Sequence, residues 1–110
     1  MNESVIVLVK NNHEDPYCSE YGWGNGYVLL PEGHPDYDKD YNHLPYSVHG
    51  GLTFSGIMNG YWAIGFDTVH AGDNPDTCDF DYVLKETMSL KSQVDARADE
   101  SSHVFLRYRY

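Results

Sequence analysis

The chain has 110 residues, enough for one hydrophobic core and too few for two, so a single domain is expected over residues 1–110. Its 17 acidic and 7 basic residues give a formal net charge of −10, which argues against a broad basic surface for nucleic acid or an anionic membrane. Hydrophobic residues make up 41 % and aromatic residues 15 %, so the chain is built to fold but too small to hide every ring, and some rings should line a surface or a cleft.

The opening Met1-Asn2-Glu3-Ser4 lacks a basic signal-peptide region, and the apolar run Val5 to Val9 is too short for a secretion signal or a membrane span. A cytoplasmic location is therefore expected, with Cys18 and Cys78 as free thiols. Val5-Ile6-Val7-Leu8-Val9 is continuous and β-branched, as in a strand buried on both faces. Residues 11–20 are polar and form a loop. Gly22-Trp23-Gly24-Asn25-Gly26 has the composition of a glycine-rich turn presenting Trp23, and Tyr27 to Leu30 follows as a strand that Pro31 ends. Residues 32–42 form a loop rich in Asp, Tyr and Pro, with room for one short helical turn, in which His34 is expected to be a solvated turn residue.

Tyr46 to His49 is expected as a short third strand, broken by Gly50-Gly51. Leu52 to Ser55 alternates as a half-buried strand does, and Tyr61 to Phe66 is a clear strand with Asp67 at its C-terminal end. Residues 71–75 form a loop. Cys78 to Arg97 is the one convincing helix, with Phe80, Val83, Leu84, Met88, Leu90, Lys91 and Val94 on one stripe and Thr77 or Asp79 as its cap. The weak alternation from His103 to Tyr110 suggests an edge strand. The fold class is α+β, a mainly antiparallel sheet of four to six strands with one C-terminal amphipathic helix packed on it.

Two segments concentrate polar chemistry. Gly50-Gly51 after His49 offers backbone N–H groups that a phosphate or oxyanion can approach without a Cβ clash. Asp67-x-x-His70-x-x-Asp73 leaves the end of a hydrophobic strand at three-residue intervals, a donor set that suits ribose hydroxyls, acid–base chemistry or a divalent cation. An ordinary hairpin turn and loop capping account for the same residues in a purely structural way. Trp23, Tyr27 and Trp62 are candidates for stacking on a base, with core packing the plainer role for Trp62. His13, His43 and His103 have no partner in the sequence. There is no P-loop, nucleophile elbow, zinc-protease motif, dinucleotide fingerprint or C-x-x-C pair.

Three stretches carry a resemblance: Gly26-Tyr27-Val28 to Pro31-Glu32-Gly33-His34-Pro35; His49-Gly50-Gly51-Leu52-Thr53-Phe54-Ser55-Gly56; and Trp62 through Gly65-Phe66-Asp67-Thr68-Val69-His70-Ala71-Gly72-Asp73. Over roughly residues 26–95 the chain resembles a family of small phage-encoded proteins. The resemblance implies a phage protein that captures or cleaves a nucleotide-derived signal of host immunity, of the cyclic ADP-ribose or cyclic dinucleotide type, and capture without a cofactor is the leading reading. Under it, Gly50 and Gly51 face phosphate, Asp67 and Asp73 take ribose hydroxyls, His49 and His70 donate to phosphate or base, and Trp23, Tyr27 or Trp62 stacks. The few basic residues, Lys39, Arg107 and Arg109 among them, count against a tight site for a doubly charged ligand. The alternative is a metal-dependent phosphodiesterase or related hydrolase, with His49, Asp67, His70 and Asp73 holding a divalent cation that activates water. A third reading is an acidic, Tyr-rich inhibitor that docks a host protein. Self-association is left open.

Overall fold

The computed structural model describes residues 3–107, and the side chains of residues 3–99. Strands β1 (Val5–Lys10), β2 (Gly24–Leu29), β3 (Phe54–Met58) and β4 (Tyr61–Phe66) form a sheet in the order β1-β2-β4-β3, with every neighbour antiparallel. One helix, α1 (Phe80–Arg107), packs on one face, so the α+β fold expected from the sequence is the fold observed. β3 and β4 are joined by Asn59-Gly60, both at positive φ (53° and 83°), the left-handed pair that a two-residue hairpin requires.

The core follows from the alternation. Val28 and Ile64 face each other across β2 and β4 and, with Leu30, meet Leu90 and Val94 of α1. Close approach at the other end of the helix depends on Gly26. A Cβ there would collide with Thr87 Oγ1 and the Phe66 ring, so only glycine lets α1 lie against β2 at this point.

Several expectations are corrected. β1 is an edge strand, with Val5 and Val9 exposed, because only β2 pairs with it. Gly24-Asn25-Gly26 belongs to β2 rather than to a turn, and Trp23 is half-buried edge-on against Phe80 with ring centroids 5.0 Å apart. Tyr46 to His49 is not a strand. Its backbone is drawn to the helix instead: Gln93 bonds Ser47 in both directions, and Glu86 accepts from the His49 N–H at 2.8 Å. The strand expected from Leu52 begins at Phe54.

The helix begins at Phe80, with the Asp79 carboxylate accepting from Tyr82 N–H at 2.9 Å. Its buried stripe is Val83, Thr87, Leu90 and Val94, whereas Phe80 (44 %) and Met88 (53 %) are exposed. Thr87 is tolerated there because its hydroxyl donates to Val83 O at 2.7 Å. The helix continues through Arg107, so no edge strand forms over residues 103–107, and residues 108–110 of that expectation lie outside the described residues.

His34 is also corrected: it is 5 % exposed and structural. Its Nε2 donates to Val94 O at 2.7 Å, and its Nδ1 accepts from Asp36 N–H at 3.0 Å. The buried Asp36 carboxylate then takes the Tyr46 hydroxyl at 2.5 Å, Lys39 Nζ at 3.2 Å and Arg97 Nε at 2.6 Å, tying the connection after β2 to the helix. Among the described residues, no helix is long and apolar enough to cross a membrane.

These carboxylates set a pH dependence. Burial pushes Asp36 up, but the bonds from Tyr46, Arg97 and Lys39 outweigh it and leave the carboxyl below its usual 3.8. Asp95 is likewise raised by burial and lowered further by Lys91 and Ser4. A folded-state pKa below the unfolded one contributes stability that is present above the unfolded value and lost as pH falls through the folded one. Stability is therefore expected to hold from neutral pH to about 4 and then fall steeply. Urea denaturation midpoints measured between pH 7 and pH 2.5 check this.

Candidate functional site

The site forms where the end of β4 meets the His49 turn and the first turns of α1. Asp67, the residue after β4, accepts from Val69 N–H at 3.2 Å and starts the loop. Asp73 N–H then donates to His70 O, while Asp73 Oδ2 accepts from His70 N–H, both at 2.9 Å. Local capping is thus real, and it fixes the His70 and Asp73 side chains relative to each other.

His49 arrives from the other segment. Gly50 and Gly51 sit at positive φ (67° and 81°), and a Cβ on Gly50 would stand 2.6 Å from the His70 ring. Glycine is what allows the turn to touch that ring. Substituting Gly50 with alanine combines left-handed strain with this collision, so a loss of about 1–2 kcal/mol is expected from the backbone alone. Comparing urea unfolding of Gly50→Ala with Gly51→Ala, where a Cβ meets nothing within 4 Å, separates collision from strain.

The result is one hydrogen-bonded chain, Tyr82, His49, Asp73 and His70, with the Asp67 carboxylate beside its outer end. Tyr82 OH lies 2.7 Å from His49 Nδ1, and His49 Nε2 lies 2.9 Å from Asp73 Oδ1. Asp73 Oδ2 lies 3.0 Å from His70 Nδ1, and His70 Nε2 lies 3.4 Å from Asp67 Oδ1. The chain runs outward, from an Asp73 side chain that is 8 % exposed to a His70 side chain that is 35 % exposed. Both ring nitrogens of His70 face carboxylates, so a neutral ring, with one N–H, satisfies only one of them.

Electrostatics agree with this order. Burial raises Asp73, but the His70 backbone and ring donors and the charge of His49 more than offset it, holding the carboxyl below its usual range. Burial, then the charges of Glu86, Cys78 and Asp73, push the Tyr82 hydroxyl up, so it stays protonated.

Cys78 Sγ is 3.7 Å from Asp73 Oδ1 and 4.0 Å from His49 Nε2. This is not a nucleophile–base pair. The same His49 nitrogen is engaged by Asp73, and burial together with the Asp73 charge raises the thiol above its usual range. Cys18 and Cys78 are both free. Ellman titration is expected to find Cys18 reactive in the folded protein, Cys78 slow, and two thiols after unfolding.

His49, His70 and Asp73 each bring one potential ligand atom to within 4.8 Å of the others. That spacing is compatible with a divalent cation held at about 2 Å from each atom after small movements. Tyr82 would then support His49, and Asp67 would support His70, as outer-shell partners.

His49, Gly50, Asp67, His70 and Asp73 are therefore brought together. Gly51 is adjacent, but its N–H donates to Val48 O at 2.8 Å, and the His49 N–H goes to Glu86, so the expected two-glycine phosphate cradle is reduced. Trp62 is not at the site. It stands at the opposite end of β4, packs against the core, and donates from Nε1 to Lys39 O at 3.0 Å.

Tyr27 lies on the other face of the sheet, opposite Gly65, and lines a cleft of about 350 Å³ that ends at Asp67. Burial raises its hydroxyl, an effect the Asn25 amide opposes and the Asp67 charge reinforces.

Tyr82 and Glu86 were not anticipated from the sequence. They lie one helical turn apart on α1 but act on His49, more than thirty residues away, a relation that no local pattern records. Comparisons with protein-family models, curated proteins and solved structures find no match to this chain.

Proposed function

We propose that this protein binds and sequesters a small nucleotide-like molecule at the His49–Asp73–His70–Asp67 chain, in the cytoplasm of a host cell. The observation that carries the reading is the preorganised donor–acceptor chain, which reaches solvent at His70 and Asp67 beside an aromatic-lined cleft. Asp67 and His70 provide a paired acceptor and donor for vicinal hydroxyls, and the locked partners behind them limit the cost of ordering on binding. The acidic wall suits the nucleoside part, with phosphate held at the outer edge near His70 and Gly50. The resemblance to small phage-encoded proteins makes a nucleotide-derived defence signal the expected ligand.

A second reading has its own support. The 4.8 Å grouping of His49, His70 and Asp73 favours a divalent cation, and with it hydrolysis of such a signal. One experiment separates the two. The protein is dialysed against a panel of cyclic and linear ribonucleotides, with EDTA or with Mn²⁺ or Zn²⁺, then denatured, and the released material is chromatographed. Intact ligand recovered in EDTA supports capture. Metal-dependent cleavage products, bound or in the dialysate, support the hydrolase, and neither retained nucleotide nor cleavage product under either condition rejects both.

A further inference from the structure

We propose that the cleft on the helix-free face of the sheet binds a planar, amino-bearing heteroaromatic ring of the nucleobase kind. This rests on the nucleotide-capture reading and names the part of the ligand that the histidine–carboxylate chain leaves unassigned.

The cleft, of about 350 Å³, is near the lower end of the roughly 300–1,000 Å³ typical of small-molecule sites. Four rings line it, those of Tyr17, Tyr27, Phe54 and Phe66. Tyr27 and Phe54 meet edge to face with centroids 5.3 Å apart, and Tyr17, 70 % exposed, stands in the loop between β1 and β2. Gly65 makes the floor possible, since a Cβ there would collide with the Tyr27 ring. A cleft bounded by aromatic rings suits a flat ring, which can stack on them, better than an aliphatic chain.

The polar lining sets the ligand's hydrogen-bonding sense. Asp67 contributes a carboxylate, and Asn25 contributes an amide oxygen that is sealed from solvent without a hydrogen-bond partner. That oxygen is covered in the free protein, so an incoming donor meets it, and relieves the cost of the unmet acceptor, only as the Asn25 amide turns into the cleft. The Asp67 carboxylate can only accept, so the edge of the ring that meets it carries an N–H donor, as an exocyclic amine does, while the Tyr27 and Thr53 hydroxyls in the same lining can take its ring nitrogens. A ring bearing only carbonyls would meet the Asp67 carboxylate with no donor. The carboxylate also keeps phosphate out of the cleft, toward His70 at the far side of Asp67. The wall is already anchored, with Asn11 Nδ2 donating to Gly22 O at 3.0 Å and His13 Nε2 to the same oxygen at 2.9 Å.

The test uses two probes, adenosine 5′-monophosphate and purine riboside 5′-monophosphate, in which the amine is replaced by hydrogen and no N–H donor is left on the ring. Each is titrated in EDTA by calorimetry, with Tyr, Phe and His ring signals followed by NMR. The adenine probe is expected to bind at least about tenfold tighter and to move the Tyr27 and Phe54 rings. Asn25→Ala and Asn25→Ser are each expected to bring the two probes within about threefold, with the sheet intact by amide NMR. Equal affinities in the wild-type protein, or a preference that survives both substitutions, overturn the inference. If the probes move only the His49 and His70 signals, the capture reading stands and the cleft assignment fails. If neither probe binds at millimolar concentration, both fall.

Discussion

The Asp73→Ala variant is expected to lose nucleotide retention while keeping its sheet. Asp73 is the centre of the site, because its two oxygens engage His49, the His70 ring and the His70 backbone N–H. Removing it frees both imidazoles and releases the loop that carries Asp67. Each hydrogen bond to a charged group left unmade costs about 1.5–3 kcal/mol, so affinity should fall by about 10- to 100-fold. Stability should fall as well, by about 1–3 kcal/mol, since the partners are only partly buried. Asp73→Asn keeps the shape and one acceptor but presents an NH₂ group to one of the histidines, so it should be folded and still weak. Equilibrium dialysis at matched folded concentration checks both variants. Full retention by Asp73→Ala would remove the cluster from the binding account.

Asp36→Ala is expected to be the most damaging substitution for stability away from the site. The carboxylate is fully buried and meets Tyr46, Lys39 and Arg97. Loss of a fully buried ion pair can cost about 3–5 kcal/mol, but Lys39 and Arg97 are more than a third exposed and water will solvate them when released. The Tyr46 bond and the buried space account for what remains, about 1–3 kcal/mol, or a fall in Tm of at least about 5 °C for a domain of this size. Calorimetry measures it. Asp36→Asn retains an acceptor for Tyr46 and should lose less. Ligand retention by the folded fraction should be unchanged, which separates this anchor from the Asp73 cluster.

The contrast between these two aspartates shows what the sequence made legible. Asp73 stood out because it follows a strongly hydrophobic strand, β4, in a regular Asp-x-x-His-x-x-Asp spacing, and the strand ends where expected. Asp36 and His34 lie in a stretch rich in Asp, Tyr and Pro that has the composition of a solvated loop. Their burial arises from a helix carbonyl and an arginine some sixty positions away, Val94 and Arg97. Glycine misled in the same way. Gly24 and Gly26 read as a turn by propensity, but the close approach of Val9 O, Thr87 and Phe66 places them in β2. The meeting of His49 with Asp73 was expected from two strand ends. It arises instead from a non-strand segment held on α1 by Glu86 and Gln93.

The most direct test of the central claim is a histidine-ring NMR titration of the metal-free protein with adenosine 5′-monophosphate in EDTA. His49 and His70 signals are assigned by single substitution, and His34, buried against Val94 O, is the internal control. The account predicts that the His49 and His70 signals shift together, saturably, with one dissociation constant, while His34 stays fixed. If neither His49 nor His70 responds, or if both respond only after a divalent cation is added, capture by the metal-free cluster is contradicted.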